Sequence, residues 1–291
     1  MYKNILVKAL TIIGLCCMDL LATAQNVKEP ASMSPGWTRT YQPFRIVGNL
    51  YYVGTYDLAC YLIVTPQGNI LINTGLAAST PIIKSNIETL GFKLSDTKIL
   101  LTAQAHYDHV GAMAEIKSLT GAKMMVDATD AGVLEDGGKS DYAYGGDVST
   151  FAPVKVDAVL KDGEKIKLGG SELTLLHHPG HTKGSSSFVL NVKDETKTWK
   201  VLVANMPTIV TEKPFTAVPG YPNISADYAK TLASLKAQTF DLWLSSHASQ
   251  MDMHKKRKPG DAYNPSVFAD RAGYDALVAG YEKDYQNKIK Q

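Results

Sequence analysis

Gln104-Ala105-His106-Tyr107-Asp108-His109 packs four potential metal ligands into six residues, and its setting decides what kind of fold can hold it. Just before it, Lys98-Ile99-Leu100-Leu101-Thr102 is short, apolar and partly β-branched, the pattern of a buried strand. Just after it, Gly111-Ala112-Met113-Ala114-Glu115-Ile116-Lys117 opens a helical pattern. The stretch is therefore a strand-to-helix loop at the carboxyl end of a strand, where a rigid element can aim side chains. Imidazole together with carboxylate suits zinc, whereas a structural zinc finger would bring paired cysteines. The plain alternative is that His106 and His109 are ordinary loop residues bonded to their neighbours. Two more distant histidines in similar settings speak against it.

Of the seven histidines, His181 lies in His177-His178-Pro179-Gly180-His181-Thr182, where Pro179 stiffens the loop and Gly180 permits an unusual backbone angle. His247 follows Phe240-Asp241-Leu242-Trp243-Leu244-Ser245-Ser246, again at the finish of a strand pattern. Gln104, His106, Asp108, His109, His181 and His247 divide into two groups of three. Three protein ligands plus water is the catalytic zinc pattern, since a structural site closes its fourth position. His177 and His178 are expected to pack and hydrogen-bond beside the ligands, and His254, in a charged helix-like stretch, to be solvated.

The rest of the chain supplies the scaffold. At 291 residues, 45% hydrophobic and 20% charged, it has the make-up of a globular enzyme with a sizeable core. A net charge of +2, with no basic run longer than Lys255-Lys256-Arg257-Lys258, predicts no nucleic-acid partner. Residues 1–24 read as a secretory signal: Lys3 and Lys8, an apolar run from Ala9 to Leu21, then the small-residue site Ala22-Thr23-Ala24. The run is shorter than the ~20 residues that span a bilayer, so no stable membrane association is expected and the mature chain is placed in the periplasm. Cys16 and Cys17 leave with the signal, so residues 25–291 form one domain holding the single thiol Cys60, buried and inert within Ala59-Cys60-Tyr61-Leu62-Ile63-Val64. A monomer is the default.

Phe44 to Val47, Leu50 to Val53, Ala59 to Thr65 and Asn69 to Asn73 read as an antiparallel meander with turns at Gly48-Asn49 and Pro66-Gln67-Gly68. A helix over Pro81 to Gly91 and strands at 98–102 and 123–127 follow, giving a mixed sheet covered by helices, an α/β (α+β mixed) class. Residues 135–147, with four glycines and two tyrosines and no periodicity, form a long loop that is either a lid or a surface excursion. Strands at 173–177, 187–192, 199–204 and 240–244, a helix over 226–238 and a helical segment over 265–290 repeat the organisation. The predicted architecture is two packed sheet-and-helix halves with the site in the cleft between them.

These residues resemble the metallo-β-lactamase superfamily, whose four-layer αββα sandwich carries a His-x-His-x-Asp-His loop. The match is narrower still with its third subclass, and there with the GOB-type enzymes that have glutamine at the first ligand position. It rests on Gly54-Thr55-Tyr56-Asp57-Leu58, Ile72-Asn73-Thr74-Gly75, the central loop, Pro179-Gly180-His181-Thr182-Lys183-Gly184-Ser185 and Ser246-His247-Ala248-Ser249. The resemblance implies one or two zinc ions, with Gln104, His106 and His181 at a first site and Asp108, His109 and His247 at a second. It implies hydrolysis of β-lactam antibiotics (penicillins, cephalosporins and carbapenems) by a zinc-activated hydroxide that Asp108 orients, with no covalent intermediate. Thr208, Ser185 and Thr182 are then candidates for binding the substrate's carboxylate, and Lys183 could assist. Two departures stand out. The segment Ala204-Asn205-Met206-Pro207-Thr208 lacks the bridging aspartate of thioesterase and lactonase relatives, and Met206 replaces the subclass's usual serine. The neutral amide of Gln104 implies that the first site is the weaker one.

Overall fold

The computed structural model describes residues 27–146 and 150–291; the expected signal at residues 1–24 lies outside them. Seven strands, β1 (Phe44–Val47), β2 (Leu50–Tyr52), β3 (Tyr61–Thr65), β4 (Gly68–Ile72), β5 (Thr97–Leu101), β6 (Lys123–Asp127) and β7 (Ala158–Leu160), form one sheet in sequential order. The first four pair antiparallel, β1–β2 and β3–β4 through tight turns and β2–β3 through the 53–60 loop; β4 to β7 run parallel, because helical crossovers separate them. The second sheet holds β8 (Lys165–Leu168), β9 (Ser171–His177), β10 (Ser186–Lys193), β11 (Thr198–Ala204) and β12 (Leu242–Ser245), antiparallel except for the final parallel pair.

Side-chain alternation along the strands generates the layers. From the first sheet, Ile63, Ile70, Ile72, Ile99 and Leu101 face inward to meet Leu173, Leu175, Phe188, Leu190 and Val203 of the second. Their neighbours Leu62, Leu71, Leu100 and Met124 point the other way and meet Ile83 and Ile87 of α1 (Thr80–Thr89). The one-turn α2 (Tyr107–Val110) follows within the central loop, and α3 (Met113–Thr120) adds Met113 and Ile116 to the same layer. After the short α4 (Ala131–Glu135), helix α5 (Ile224–Ala237) covers the second sheet with Leu232 and Leu235. The short α6 (Met253–Lys256) precedes α7 (Arg271–Lys288), which adds Tyr274 and Val278 to that outer layer. Two sheets between two helix layers make the four-layer sandwich expected, with one core between the sheets and under α5 and α7, a second under α1 and α3, and a smaller third around Phe215 and Tyr228.

Several boundaries move for physical reasons. The last helical segment is broken: a 3-10 turn at Pro265–Phe268 precedes α7, whose N-cap Asp270 accepts the Gly273 N–H at 2.8 Å. The central loop turns helical within the motif itself, at Tyr107, before the helix expected from Ala112. Two strands went unforeseen, the three-residue β7 and the half-exposed β8. Cys60 is buried, and desolvation pushes its thiol well above its ordinary value, as an inert cysteine requires. His254 corrects the expectation of a solvated side chain. Its ring stacks on Tyr56 at 3.6 Å, and Nε2 lies 2.6 Å from the Tyr56 carbonyl, because the basic stretch folds back onto the 54–58 loop.

Candidate metal centre

All six candidate ligands lie at carboxyl ends of strands or just beyond, on one rim of the sandwich. Gln104, His106, Asp108 and His109 follow β5, His181 follows β9 and His247 follows β12. Asn73 anchors that rim: in the left-handed region at φ 62°, its Oδ1 accepts the Ala103 N–H at 2.9 Å and the Thr102 hydroxyl at 3.2 Å, fixing where the central loop departs.

The structure brings Asp108, His109 and His247 together and sets His106 against His181, while Gln104 lines the same cavity. One Asp108 oxygen, Oδ2, lies 3.2 Å from His109 Nε2 and 3.4 Å from His247 Nε2. These three donors lie within 4.8 Å of one another, close enough to hold a metal ion. Across the cavity, His106 Nδ1 lies 3.1 Å from His181 Nε2. Two imidazoles on one tetrahedral zinc would stand roughly 3.3 Å apart, given bonds of about 2.0–2.1 Å. Gln104 Oε1 and His109 Nε2 are buried without a hydrogen-bond partner, an arrangement that costs stability unless a cation fills the space they face. The donor set, imidazole with one carboxylate and one amide oxygen, fits zinc.

Two of the imidazoles are held from behind. His181 Nδ1 donates to the Thr208 carbonyl at 2.8 Å, with the Thr208 hydroxyl also at 2.8 Å, which leaves the lone pair on Nε2 facing His106. Burial, with His106 alongside, pushes the His181 pKa down to about 3, so its imidazole is neutral. Asp57 Oδ2 lies 3.3 Å from His247 Nδ1 and accepts Trp37 Nε1–H at 3.0 Å, while Oδ1 accepts the Ser249 N–H at 2.8 Å. Burial disfavours the charged form of His247, but Asp108 and Asp57 outweigh it and bring its pKa up to about 9. Burial alone would raise Asp108; His109 and His247 instead hold it well below the usual carboxylate range.

The loop carrying His181 is tied to the central loop by a residue that the sequence did not single out. Asp130 accepts the Ala105 N–H at 3.0 Å, the Thr182 hydroxyl at 2.7 Å and the Gly184 N–H at 2.7 Å. Burial lifts its pKa to about 6 against those hydrogen bonds. Gly184 is needed there, since a Cβ would stand 2.6 Å from the Asp130 side chain. Gly180 adopts φ 133° as the sequence anticipated, with the Tyr228 ring 2.9 Å from where a Cβ would lie. His177 pairs with Asp127 at 2.8 Å, and His178 bridges Ser187 and Ser234 at 2.7 and 2.9 Å, so both pack and hydrogen-bond, to partners that are not themselves ligands.

The ligands open onto a cavity of about 170 Å³ walled by Trp37, Tyr107, Tyr144, Met206, Thr208 and Val210. Two of the three substrate-binding candidates need correcting. Thr182 and Ser185 are buried and their hydroxyls bond to each other at 2.8 Å, with Thr182 also on Asp130. They brace the His181 loop and do not line the cavity; only Thr208 does. Lys183 points away, with Nζ 5.7 Å from the centre of the Tyr221 ring. Asp57, Asp130 and Asp141 are the carboxylates missed by reasoning from sequence, the third being buried in the 135–147 loop.

Comparison with known proteins gives four results. The metallo-beta-lactamase superfamily profile matches residues 55–194. The class B3 di-zinc metallo-beta-lactamase LRA-12 from an Alaskan soil metagenome is 59% identical, with 90% of this chain and 100% of that one covered and a TM-score of 0.89. The metallo-beta-lactamase GOB-18 from Elizabethkingia meningoseptica is 58% identical, with 92% and 99% covered and a TM-score of 0.89. Among curated sequences the likeness is partial: the hydroxyacylglutathione hydrolase of Methylococcus capsulatus is 27% identical over 132 residues, and the chain spans 43% of its length.

Proposed function

Because the chain belongs to the metallo-β-lactamase superfamily, and within it to class B3, we propose that its cavity opens the β-lactam ring of penicillins, cephalosporins and carbapenems. The enzyme is a zinc-dependent β-lactamase. The observation that carries the assignment of ligands is the single Asp108 oxygen at 3.2 and 3.4 Å from two imidazole nitrogens. Gln104, His106 and His181 would hold one ion and Asp108, His109 and His247 the other. When bound, zinc supplies a Lewis acid and brings the pKa of a coordinated water to about 7.

The chain's own residues then bind and orient. Asp108, fixed between His109 and His247, orients the attacking water toward the lactam carbonyl. The water's oxygen ends on the carbonyl carbon, the C–N bond breaks and a proton ends on the ring nitrogen. Trp37, Tyr107 and Tyr144 wall the cavity and limit bulk water. The Thr208 hydroxyl, the one candidate hydroxyl in the lining, receives the substrate's carboxylate. Met206 and Asn205 stand where the thioesterase and lactonase relatives carry a bridging aspartate, which argues against activity on those esters. Export to the periplasm by residues 1–24 would bring the enzyme to its substrate. Among the described residues no helix is long and apolar enough to cross a membrane.

Penicillin, cephalosporin and carbapenem hydrolysis measured with and without a chelator tests this reading. Chelator-sensitive ring opening is expected. Activity confined to thioesters or lactones, or zinc binding without any hydrolysis, would contradict it.

A further inference from the structure

The mechanism makes no use of Asp141, the buried carboxylate of the 135–147 loop. Its side chain is 4% exposed, and Oδ2 stands 3.4 Å from Nε2 of His106, the ring nitrogen that faces away from His181. The contact is not a formed hydrogen bond and His106 Nε2 is buried with no other partner, yet a carboxylate at that distance still favours the tautomer with its proton on Nε2. That leaves the lone pair on Nδ1, the atom facing His181 Nε2 at 3.1 Å.

The loop is built to hold that carboxylate still. Asp141 Oδ1 accepts the N–H groups of Ala143 and Tyr144 at 2.9 and 2.7 Å, and the Asp141 carbonyl accepts the Gly145 N–H at 3.0 Å. A Cβ on Gly145 would stand 2.1 Å from that carbonyl, so the turn admits only glycine there. On either side of Asp141 the loop touches the same group of ligands. Tyr142 donates its hydroxyl to the carbonyls of Gly180, at 2.8 Å, and His181, at 3.2 Å. Tyr144 sets its ring edge-on to His106, with centroids 4.8 Å apart.

We propose that Asp141 is the positioning residue of the first zinc site, fixing the orientation and tautomer of His106 and strengthening it as a donor beside the weak ligand Gln104. The proposal rests on the assignment of Gln104, His106 and His181 as one zinc site. It gives residues 136–146 a role that neither a mobile lid nor a surface excursion would: they are part of the metal site's support. Each group of ligands then has one carboxylate behind one imidazole, Asp57 behind His247 and Asp141 behind His106. An outer partner of this kind changes metal affinity by about 10- to 100-fold.

The test uses metal-free full-length protein titrated with zinc against a chelating dye, counting ions and fitting two dissociation constants. Asp141→Asn keeps an oxygen for the Ala143 and Tyr144 N–H groups, removes the charge and turns an NH2 donor toward His106 Nε2 in place of the acceptor oxygen. It is expected to weaken one ion about 10- to 100-fold and leave the other unchanged, a selectivity that general loosening of the structure would not produce. Adding Gln104→His to Asp141→Asn is expected to restore most of the lost affinity. Should Asp141→Asn fail to fold, Asp141→Glu decides, with a severalfold weakening of the same ion expected. Unchanged affinities in the variant that folds, or an equal loss at both sites, would overturn the proposal alone. A wild-type chain that takes up no zinc would overturn the zinc reading with it.

Discussion

The two groups of ligands are built on the same plan and differ in one respect, charge. Asp108, His109 and His247 surround an anionic oxygen, and the His247 ring is fixed from behind by Asp57. Gln104, His106 and His181 offer two imidazoles and a neutral amide oxygen, with no carboxylate among the donors themselves. Both groups sit at strand ends and are largely buried, His247 being the one partly exposed member. What separates them is the electrostatic stabilisation a dication receives, and a carboxylate oxygen in a site of low dielectric offers far more than an amide. We infer that one scaffold would carry a tight site and a supply-dependent site side by side through a single change of ligand.

Substitutions can sharpen or break that contrast. The largest effect is expected from Asp108→Ala, which takes the anionic oxygen from the second group and the orienting carboxylate from the reaction. Turnover should fall by about 10³-fold or more, beyond the 10- to 100-fold typical of outer partners, and zinc counting should find the tight ion lost. Retention of that ion would erase the distinction between the sites. Asp57→Asn comes next: tight-site affinity should weaken about 10- to 100-fold in dye competition, with the first-site constant unmoved. Gln104→His is expected to tighten the weaker site by roughly tenfold and so narrow the gap, and a titration in which the two constants stay as far apart would remove the amide as its cause. The smallest effect is that of Thr208→Ala. Its carbonyl still holds His181 Nδ1 after the hydroxyl is gone, so steady-state kinetics should give a KM raised about threefold with kcat changed less. A fall in kcat alone would take Thr208 out of substrate binding.

Much of this was legible in the chain, and the unread parts share a cause. The strands with continuous apolar runs, such as Leu100-Leu101 and Val201-Leu202-Val203, announced themselves because they are buried on both faces. Strand β8 did not, since Lys165-Ile166-Lys167-Leu168 buries only Ile166 fully and three residues of β7 are too few for a period. The six ligands could be picked out because histidine clusters beside strand ends are chemically unusual. Asp57, Asp130 and Asp141 could not, because a carboxylate in a loop is ordinarily solvated and only tertiary proximity shows otherwise. Asp141 carried a faint signal, an acid between serine and tyrosine in a glycine-rich loop with one lysine nearby, but nothing in the sequence says that His106 lies behind it. Thr182 and Ser185 misled for the converse reason: proximity to a ligand along the chain placed them beneath it, where Asp130 takes up the Thr182 hydroxyl.

The inequality of the two sites is tested most directly by stepwise zinc addition to the metal-free wild type, following bound metal and cephalosporin hydrolysis in the same samples. One ion should bind tightly and bring activity with it, and a second should follow only as free zinc rises. Two ions bound with equal, tight affinity, and hydrolysis appearing only after the second, would contradict the account.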